Sequence, residues 1–185
     1  MKTRKGLITA VFIVLLTVLA IFPVQSEAAS YGSIVVTAGG FTVDGGALEP
    51  LANLGPYLAD GNTIGLLSFG DGVVPAITVY ADITGSLSVG LGCNITLDPT
   101  AVTTGANVTV SGVLNGNVAT GSGFVKVNSG GSIIGDVMTS TGPVTVDTAA
   151  VISGDIGGAL MAGNVMVNSA GTVKGNVNTS GVVNV

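Results

Sequence analysis

Two aspartates are the residues of this sequence whose type and spacing could support chemistry. Asp136 and Asp155 lie 19 residues apart, and each follows a glycine and precedes a β-branched residue. A pair of carboxylates at one site could hydrolyse a glycosidic bond or hold Ca²⁺ weakly through its oxygens. Asn117 and Asn176 occupy the same place in neighbouring copies of the motif, and Asn or Asp after Gly is favoured in turns. We interpret all four as turn residues and keep the Asp136–Asp155 pair as a candidate Ca²⁺ site.

The remaining composition argues against an enzyme. The sequence has no histidine and one cysteine, so a Ser-His-Asp triad and a conventional zinc site are not available. Cys93 shares the strand alternation of Ile95 and is expected to point inward. An intermolecular disulfide outside the cell is the alternative. We predict no enzymatic activity, no catalytic residues and no cofactor.

The two aspartates belong to a repeat in the C-terminal half of the chain. Gly-Asn/Asp-Val/Ile recurs with steps of 19, 19 and 21 residues, at positions 116–118, 135–137, 154–156 and 175–177. A Val-x-Val element recurs in phase, at positions 125–127, 144–146, 165–167 and 183–185. A period near 19 is too short for two helices and a turn, and β-branched residues at alternate positions favour strands.

Stacking of successive repeats would bury the aliphatic residues that each repeat presents on one face. Two core ladders are predicted: Leu114, Ile133, Ile152 and Val173 in one, and Val118, Val137 and Ile156 in the other. Because one coil cannot bury its inward face alone, we predict an all-β protein, a parallel β-helix or solenoid with about 19 residues per coil. It should cover residues 73–185 and be clearest over 108–185. A β-sandwich is the alternative, which would leave the in-phase columns unexplained.

The segment before the repeats, residues 29–72, is expected to be smaller, β-rich and less regular. The aliphatic and aromatic residues at 34–36 and 41–43 predict two strands around a Gly-Gly pair. Three leucines at helical spacing over 48–54, with prolines at 50 and 56, predict a short helix. We expect this helix to cap the N-terminal end of the solenoid.

Residues 1–28 have the pattern of a secretory signal peptide. Lys2, Arg4 and Lys5 precede an apolar run over residues 6–22, and small residues follow near Ala28. An uncleaved anchor is the alternative, since the run approaches the length that crosses a bilayer. In both cases the basic end stays in the cytoplasm, so we expect an exported protein, extracellular or at the cell surface. Any membrane contact would involve this segment alone.

The charge of the exported part limits its partners. The full chain has five basic and ten acidic residues, and removal of residues 1–28 leaves two lysines and nine acidic residues. An acidic surface without arginine cannot neutralise phosphates, which argues against nucleic acid. The same surface would not dock on anionic lipid.

The repeat resembles that of the bactofilins, the polymer-forming cytoskeletal family of β-helices. The likeness covers residues 95–185 and is carried by motifs such as Val144-Thr145-Val146 followed by Val151-Ile152-Ser153-Gly154-Asp155-Ile156. The resemblance implies a compact β-helix that joins end to end into filaments. Members of the family are typically cytoplasmic with short flanking tails, whereas this chain has a predicted export signal and finishes on a repeat strand. We therefore carry over the fold and the tendency to polymerise, and not a cytoskeletal role.

The last predicted coil lacks the polar cap that solenoids normally need. No charged residue or proline follows Lys174 in the sequence, and an unguarded strand edge templates pairing with another chain. The predicted assembly edge consists of Val177, Val182, Val183 and Val185. We expect it to bind a second copy of the protein. A frayed last strand, or a packing partner elsewhere in the chain, is the alternative.

The sequence therefore predicts an exported structural protein that assembles end to end into an extracellular filament, surface layer or matrix. The alternative is a monomeric cell-surface adhesin or carbohydrate-binding module that contacts a cell-surface polysaccharide. Sugar stacking would then fall to the aromatic residues of the N-terminal part, which are Tyr31, Tyr57, Phe69 and Tyr80.

Overall fold

The computed structural model describes residues 28–72, 76–103, 105–157 and 163–185. The predicted signal peptide falls, up to residue 27, outside the described residues. Two 3-10 turns, Leu51–Asn53 and Gly55–Leu58, interrupt a series of short strands. Among the described residues, no helix has the length and hydrophobicity needed to cross a membrane. The strands are β1 (Ser30–Thr37), β2 (Gly40–Val43), β3 (Thr63–Phe69), β4 (Ile77–Val79), β5 (Asp82–Val89), β6 (Asn94–Leu97), β7 (Asn107–Val110), β8 (Val113–Asn115), β9 (Val118–Gly121), β10 (Val125–Val127), β11 (Ser132–Ile134), β12 (Val137–Thr139), β13 (Val144–Val146), β14 (Val151–Ile152), β15 (Val165–Val167), β16 (Thr172–Val173) and β17 (Val183–Asn184).

The strands form three sheets that the chain visits in turn. Sheet one has the order β17-β15-β13-β10-β7-β5-β3-β1-β2, sheet two the order β16-β14-β11-β8-β6-β4, and sheet three contains β12 and β9. Every pairing is parallel except that of β1 with β2. Two successive coils, β7–β9 and β10–β12, each contribute one strand to each of the three sheets. The predicted parallel β-solenoid is confirmed.

The pairing registers place the predicted ladders in single rows. Leu114 pairs with Ile133, Ile133 with Ile152, and Ile152 with Val173. In the other row Val118 pairs with Val137, Val137 with Ile156, and Ile156 with Val177. All of these residues are fully buried except Val173, which is partly buried, and Val177, which is exposed. The inward columns are therefore continuous through the repeats and open only at the last coil.

The N-terminal part is joined to the repeats through sheet one. β1 pairs in parallel with β3 and antiparallel with β2, so the two predicted strands lie in β1 and β2. The predicted helix is instead two 3-10 turns, because Pro50 precedes the first turn and Gly55-Pro56 interrupts the segment after three residues. Leu54 and Leu58 are buried against the core, whereas Leu48 remains exposed.

One corner of the solenoid, between sheets one and two, is a tight turn built in the same way in three coils. The fourth residue donates its N–H to the carbonyl of the first, over 2.7–3.0 Å, in residues 128–131, 147–150 and 168–171. The third residue is left-handed in each turn, with φ of 76° at Gly130, 57° at Ala149 and 62° at Ala170. Glycine takes this conformation without cost, and alanine does not.

The core ladder predicts that alanine substitutions at two adjacent isoleucines of β11 change the free energy of unfolding by very different amounts. Ile133→Ala should destabilise the protein by about 2–5 kcal/mol, because its buried side chain leaves a cavity between neighbouring coils. Ile134→Ala serves as the matched control, since this side chain is half exposed on the outer face and should change stability by less than about 1 kcal/mol. Urea unfolding of both variants measures the difference, and equal effects would contradict the assigned faces.

The turn geometry predicts that Ala149→Gly stabilises the protein by about 0.5–1 kcal/mol, because glycine relieves the left-handed strain. Ala150→Gly is the control: this alanine has no positive φ and is fully buried, so its replacement should destabilise. Thermal unfolding midpoints of the two variants should shift in opposite directions. A decrease for Ala149→Gly would show that the turn is not strained.

Candidate functional site

The predicted acidic pair lies at the corner between sheets two and three. Asn117, Asp136, Asp155 and Asn176, here called the Asn/Asp corner, each follow a glycine at the end of a strand or extended segment of sheet two. Because sheet pairing is in register on both sides of this corner, the four residues stack in one column. The structure therefore brings Asp136 and Asp155 to adjacent coils, as the repeat spacing predicts.

Three of the four side chains in the Asn/Asp corner bind the backbone of the next coil. Asn117 Oδ1 accepts the N–H of Asp136 over 2.9 Å, and Asp136 Oδ1 accepts the N–H of Asp155 over 2.9 Å. Asp155 Oδ1 then accepts the N–H of Asn176 over 2.7 Å. The turn interpretation anticipates local hydrogen bonds, but these bonds join residues 19 or 21 positions apart. The column is thus a hydrogen-bonded ladder between coils.

The backbone of the same corner carries a second set of bonds in the opposite direction. The carbonyls of Asp136, Asp155 and Asn176 each accept, over 2.8 Å, the N–H of a core residue one coil earlier. Those donors are Val118, Val137 and Ile156. Asp136 and Asp155 therefore each bind the coil before them through the backbone carbonyl and the coil after them through the side chain.

The glycine before each corner residue lets the coils approach this closely. A Cβ at Gly154 would overlap the carbonyl oxygen of Gly135 and the Oδ1 of Asp136. A Cβ at Gly175 would overlap the corresponding atoms of Gly154 and Asp155. Because the carbonyl oxygens of Gly135 and Gly154 belong to the backbone, movement of the aspartate side chains alone could not make room.

This arrangement occupies one oxygen of each carboxylate in structural bonds. Among the described residues, no group of three or more His, Cys, Asp or Glu side chains lies close enough to hold a metal ion. The geometry supports a structural role for Asp136 and Asp155, and the Ca²⁺ assignment remains a prediction.

A threonine column, absent from the sequence predictions, supports the third corner, between sheets three and one. Thr120 and Thr139 are fully buried, and their hydroxyls donate over 2.7 Å to the carbonyls of Gly123 and Gly142. Thr179 donates to the carbonyl of Gly163. All three lie three positions after an Asn or Asp of the Asn/Asp corner, so the extended motif Gly-Asn/Asp-Val-x-Thr could have identified them.

The predicted assembly edge forms the outer surface of the last coil. Val177, Val182, Val183 and Val185 are exposed by 38, 59, 44 and 100 %. Val183 continues the column of Val125, Val144 and Val165, whose side chains are buried. In the part of the chain that the structure describes, no strand pairs with the outer edge of β17 or β16. These four valines are called the C-terminal end surface below.

The opposite end of the solenoid is covered. β2 folds back antiparallel on β1, and the outer side of β2 is bridged at Phe41 by the backbone of Glu49, over 2.7 and 2.8 Å. The 3-10 turns place Leu54 and Leu58 over the core beside β4. An antiparallel closing strand and buried leucines are ways in which β proteins protect an edge.

Cys93 lies inside the solenoid and is 1 % exposed. Its Sγ lies 3.2 Å from the carbonyl oxygen of Gly70 in the preceding coil. The inward orientation predicted from strand alternation is confirmed, and a disulfide to another chain would require this coil to open.

The fold defines the described part of the chain as a parallel β-solenoid that follows a less regular N-terminal part. Comparison with protein-family models, with curated proteins and with solved structures gave no match. The resemblance to the bactofilin repeat therefore stays a prediction.

The Asn/Asp corner predicts different results for two substitutions of Asp136. Asp136→Ala should lower the free energy of unfolding by about 1–2 kcal/mol, because the Asp155 N–H loses its acceptor. Asp136→Asn keeps an Oδ1 in place, as Asn117 does one coil earlier, and should cost less than about 0.5 kcal/mol. Urea unfolding distinguishes the two.

Asp60→Ala is the control, because its carboxylate accepts only from the adjacent Gly61 N–H among the described residues. The same titrations in 5 mM CaCl₂, a concentration on the order of the weakest protein Ca²⁺ affinities, test the metal assignment. A Ca²⁺-dependent rise in the unfolding midpoint that both Asp136 variants abolish would support a metal site instead of a structural ladder.

Proposed function

We propose that this chain is an exported structural protein whose solenoids join through the C-terminal end surface into an extracellular filament, surface layer or matrix. The observation that carries the proposal is the exposure of core-type residues in the last described coil. Val183 is 44 % exposed where its three column neighbours are buried, and Val177 is 38 % exposed where its neighbours are fully buried.

The occupant that best fits this surface is a second copy of the chain. A partner strand must supply backbone groups for the outer edge of β17 and apolar side chains that continue the valine column. The C-terminal end surface of a second copy presents both features, because no described strand pairs with the outer edge of its β17 and its valines are exposed. Burial of exposed valines and pairing of strand edges both favour the joined state.

The surface also lacks the devices that keep strand edges apart. Residues 175–185 contain no charged side chain and no proline, although charges and prolines are the usual protection of an edge. The N-terminal end is covered by β2 and the backbone of Glu49, so growth beyond a pair of subunits would need a second contact elsewhere on the subunit.

Export and the structural role rest on the sequence. The signal-peptide pattern of residues 1–28 supports an extracellular location, and the acidic composition disfavours nucleic acid as a partner. The absence of histidine removes the commonest general base. The bactofilin resemblance supports polymerisation of the fold.

The proposal predicts that Val183→Lys prevents assembly of the protein. A lysine at this position places a charge in the valine column and on the strand edge, where a second copy would have to bury it. Sedimentation velocity over a range of concentrations and negative-stain microscopy measure the outcome. The wild type should form oligomers and elongated particles, and the variant should remain monomeric.

Ile134→Lys is the matched control, because Ile134 is a half-exposed aliphatic residue on the outer face of an inner coil. It should assemble as the wild type does, and circular dichroism should show β structure in both variants. A wild type that stays monomeric at high concentration would refute assembly. If the wild type forms dimers and nothing larger, the proposed contact at the C-terminal end surface would stand, but the proposed filament or layer would be contradicted.

A further inference from the structure

The N-terminal end of the solenoid carries an open groove of about 510 Å³ with a mixed aromatic and polar lining. Its walls are Tyr31 of β1, Glu49, and the exposed side of the two 3-10 turns. The turns contribute Ala52, Asn53, Pro56 and Tyr57. This volume falls within the range of roughly 300–1,000 Å³ typical of small-molecule sites.

Two tyrosine rings form the apolar part of the groove. The ring centroids of Tyr31 and Tyr57 lie 5.3 Å apart with a 57° tilt between the planes. The buried ring of Phe41 packs edge-on against Tyr57 at 5.2 Å. The rings of Phe41 and Tyr31 both pack against Tyr57 and restrict the orientation of its ring before a ligand binds.

The polar part of the groove is joined to the same rings. The hydroxyl of Tyr57 donates to Oε1 of Glu49 over 3.2 Å. This hydrogen bond, followed by desolvation and the negative charge of Glu49, raises the pKa of Tyr57. The hydroxyl is protonated at neutral pH, as that of an unperturbed tyrosine is, and donates to the carboxylate. A carboxylate has more acceptor sites than this one bond uses, and Asn53 adds an exposed amide.

We propose that this groove binds a neutral sugar of a polysaccharide. The partly buried tyrosine rings that line the groove suit the C–H faces of a pyranose, and the Glu49 carboxylate and Asn53 amide suit its hydroxyls. An acidic sugar would meet the charge of Glu49, and a purely apolar ligand would cover the Glu49 carboxylate and the Asn53 amide without offering them a hydrogen bond. This inference does not depend on the assembly proposal, because the groove lies at the opposite end of the solenoid.

Among the four aromatic residues that the sequence suggests for sugar stacking, the structure brings two together. Tyr31 and Tyr57 share the groove, whereas Phe69 is 1 % exposed and belongs to the core. Tyr80 is exposed but does not line the groove. Tyr80 therefore provides a matched control for the loss of an exposed tyrosine.

Calorimetric titration of the protein produced from the full sequence, with cellohexaose, chitohexaose and maltohexaose in turn, tests the proposal. At least one of these sugars should bind. Tyr31→Ala should weaken that binding about tenfold through loss of a stacking ring. Because Tyr31 also packs against the core, Ala52→Trp provides a second test, filling the groove from an exposed position and weakening binding to a similar extent.

A quaternary ammonium ion is the competing ligand for aromatic rings beside a carboxylate, so tetramethylammonium chloride is titrated in parallel. Glu49→Gln should weaken sugar binding about threefold, because the amide keeps one acceptor oxygen, but it would abolish binding of the cation. Tyr80→Ala should leave sugar binding within about twofold of the wild type. The proposal would be overturned if none of the three sugars bound, or if the cation alone bound. It would also be overturned if Tyr31→Ala and Ala52→Trp left sugar binding intact.

Discussion

Each coil of this solenoid depends on its neighbours for both its hydrogen bonds and its core. The parallel ladders of all three sheets run between coils, so the backbone groups of one coil find their partners one lap earlier or later. The inward side chains of a coil likewise touch the same residue types above and below. A shift of one residue in any strand would turn its buried side chains outward, and so the strand register is constrained even where the coil length varies.

The Asn/Asp corner keeps this register because it binds across coils as well. Asp136 joins three consecutive coils through its carbonyl and side-chain acceptors. The buried threonines instead hold the next corner within each coil, by donating to the carbonyl of a glycine three residues later. Glycines stand where a Cβ would strike the backbone of the preceding coil. The outer faces therefore remain free of packing constraints, which explains how Thr109, Lys126, Thr145 and Met166 can occupy equivalent outward positions.

Much of this architecture follows from the sequence, because stacking repeats one local pattern several times. The rows of Ile133, Ile152 and Val173 and of Val137 and Ile156 are predicted by spacing alone. The partners of the Asp136 and Asp155 carboxylates could not be predicted in this way. A turn residue can accept a hydrogen bond locally or from the next coil, and the distance between coils determines which bond forms. The helix expected near Leu51 became two 3-10 turns for a similar reason: leucine spacing indicates a buried face, while the prolines limit the hydrogen bonds that can form.

The two ends of the solenoid differ in what they offer to other molecules. Between β1 and β17, sheet one makes seven strand-to-strand steps, which at ~4.8 Å each separates the ends by roughly 34 Å. A sugar in the tyrosine groove and a second subunit on the C-terminal end surface would therefore not compete for space. Such an arrangement would suit a subunit that attaches to a polysaccharide by its covered end and pairs with a second subunit through the C-terminal end surface. Because stability in a solenoid is a sum of contacts between neighbouring coils, a second subunit paired there would add one such contact without disturbing the groove.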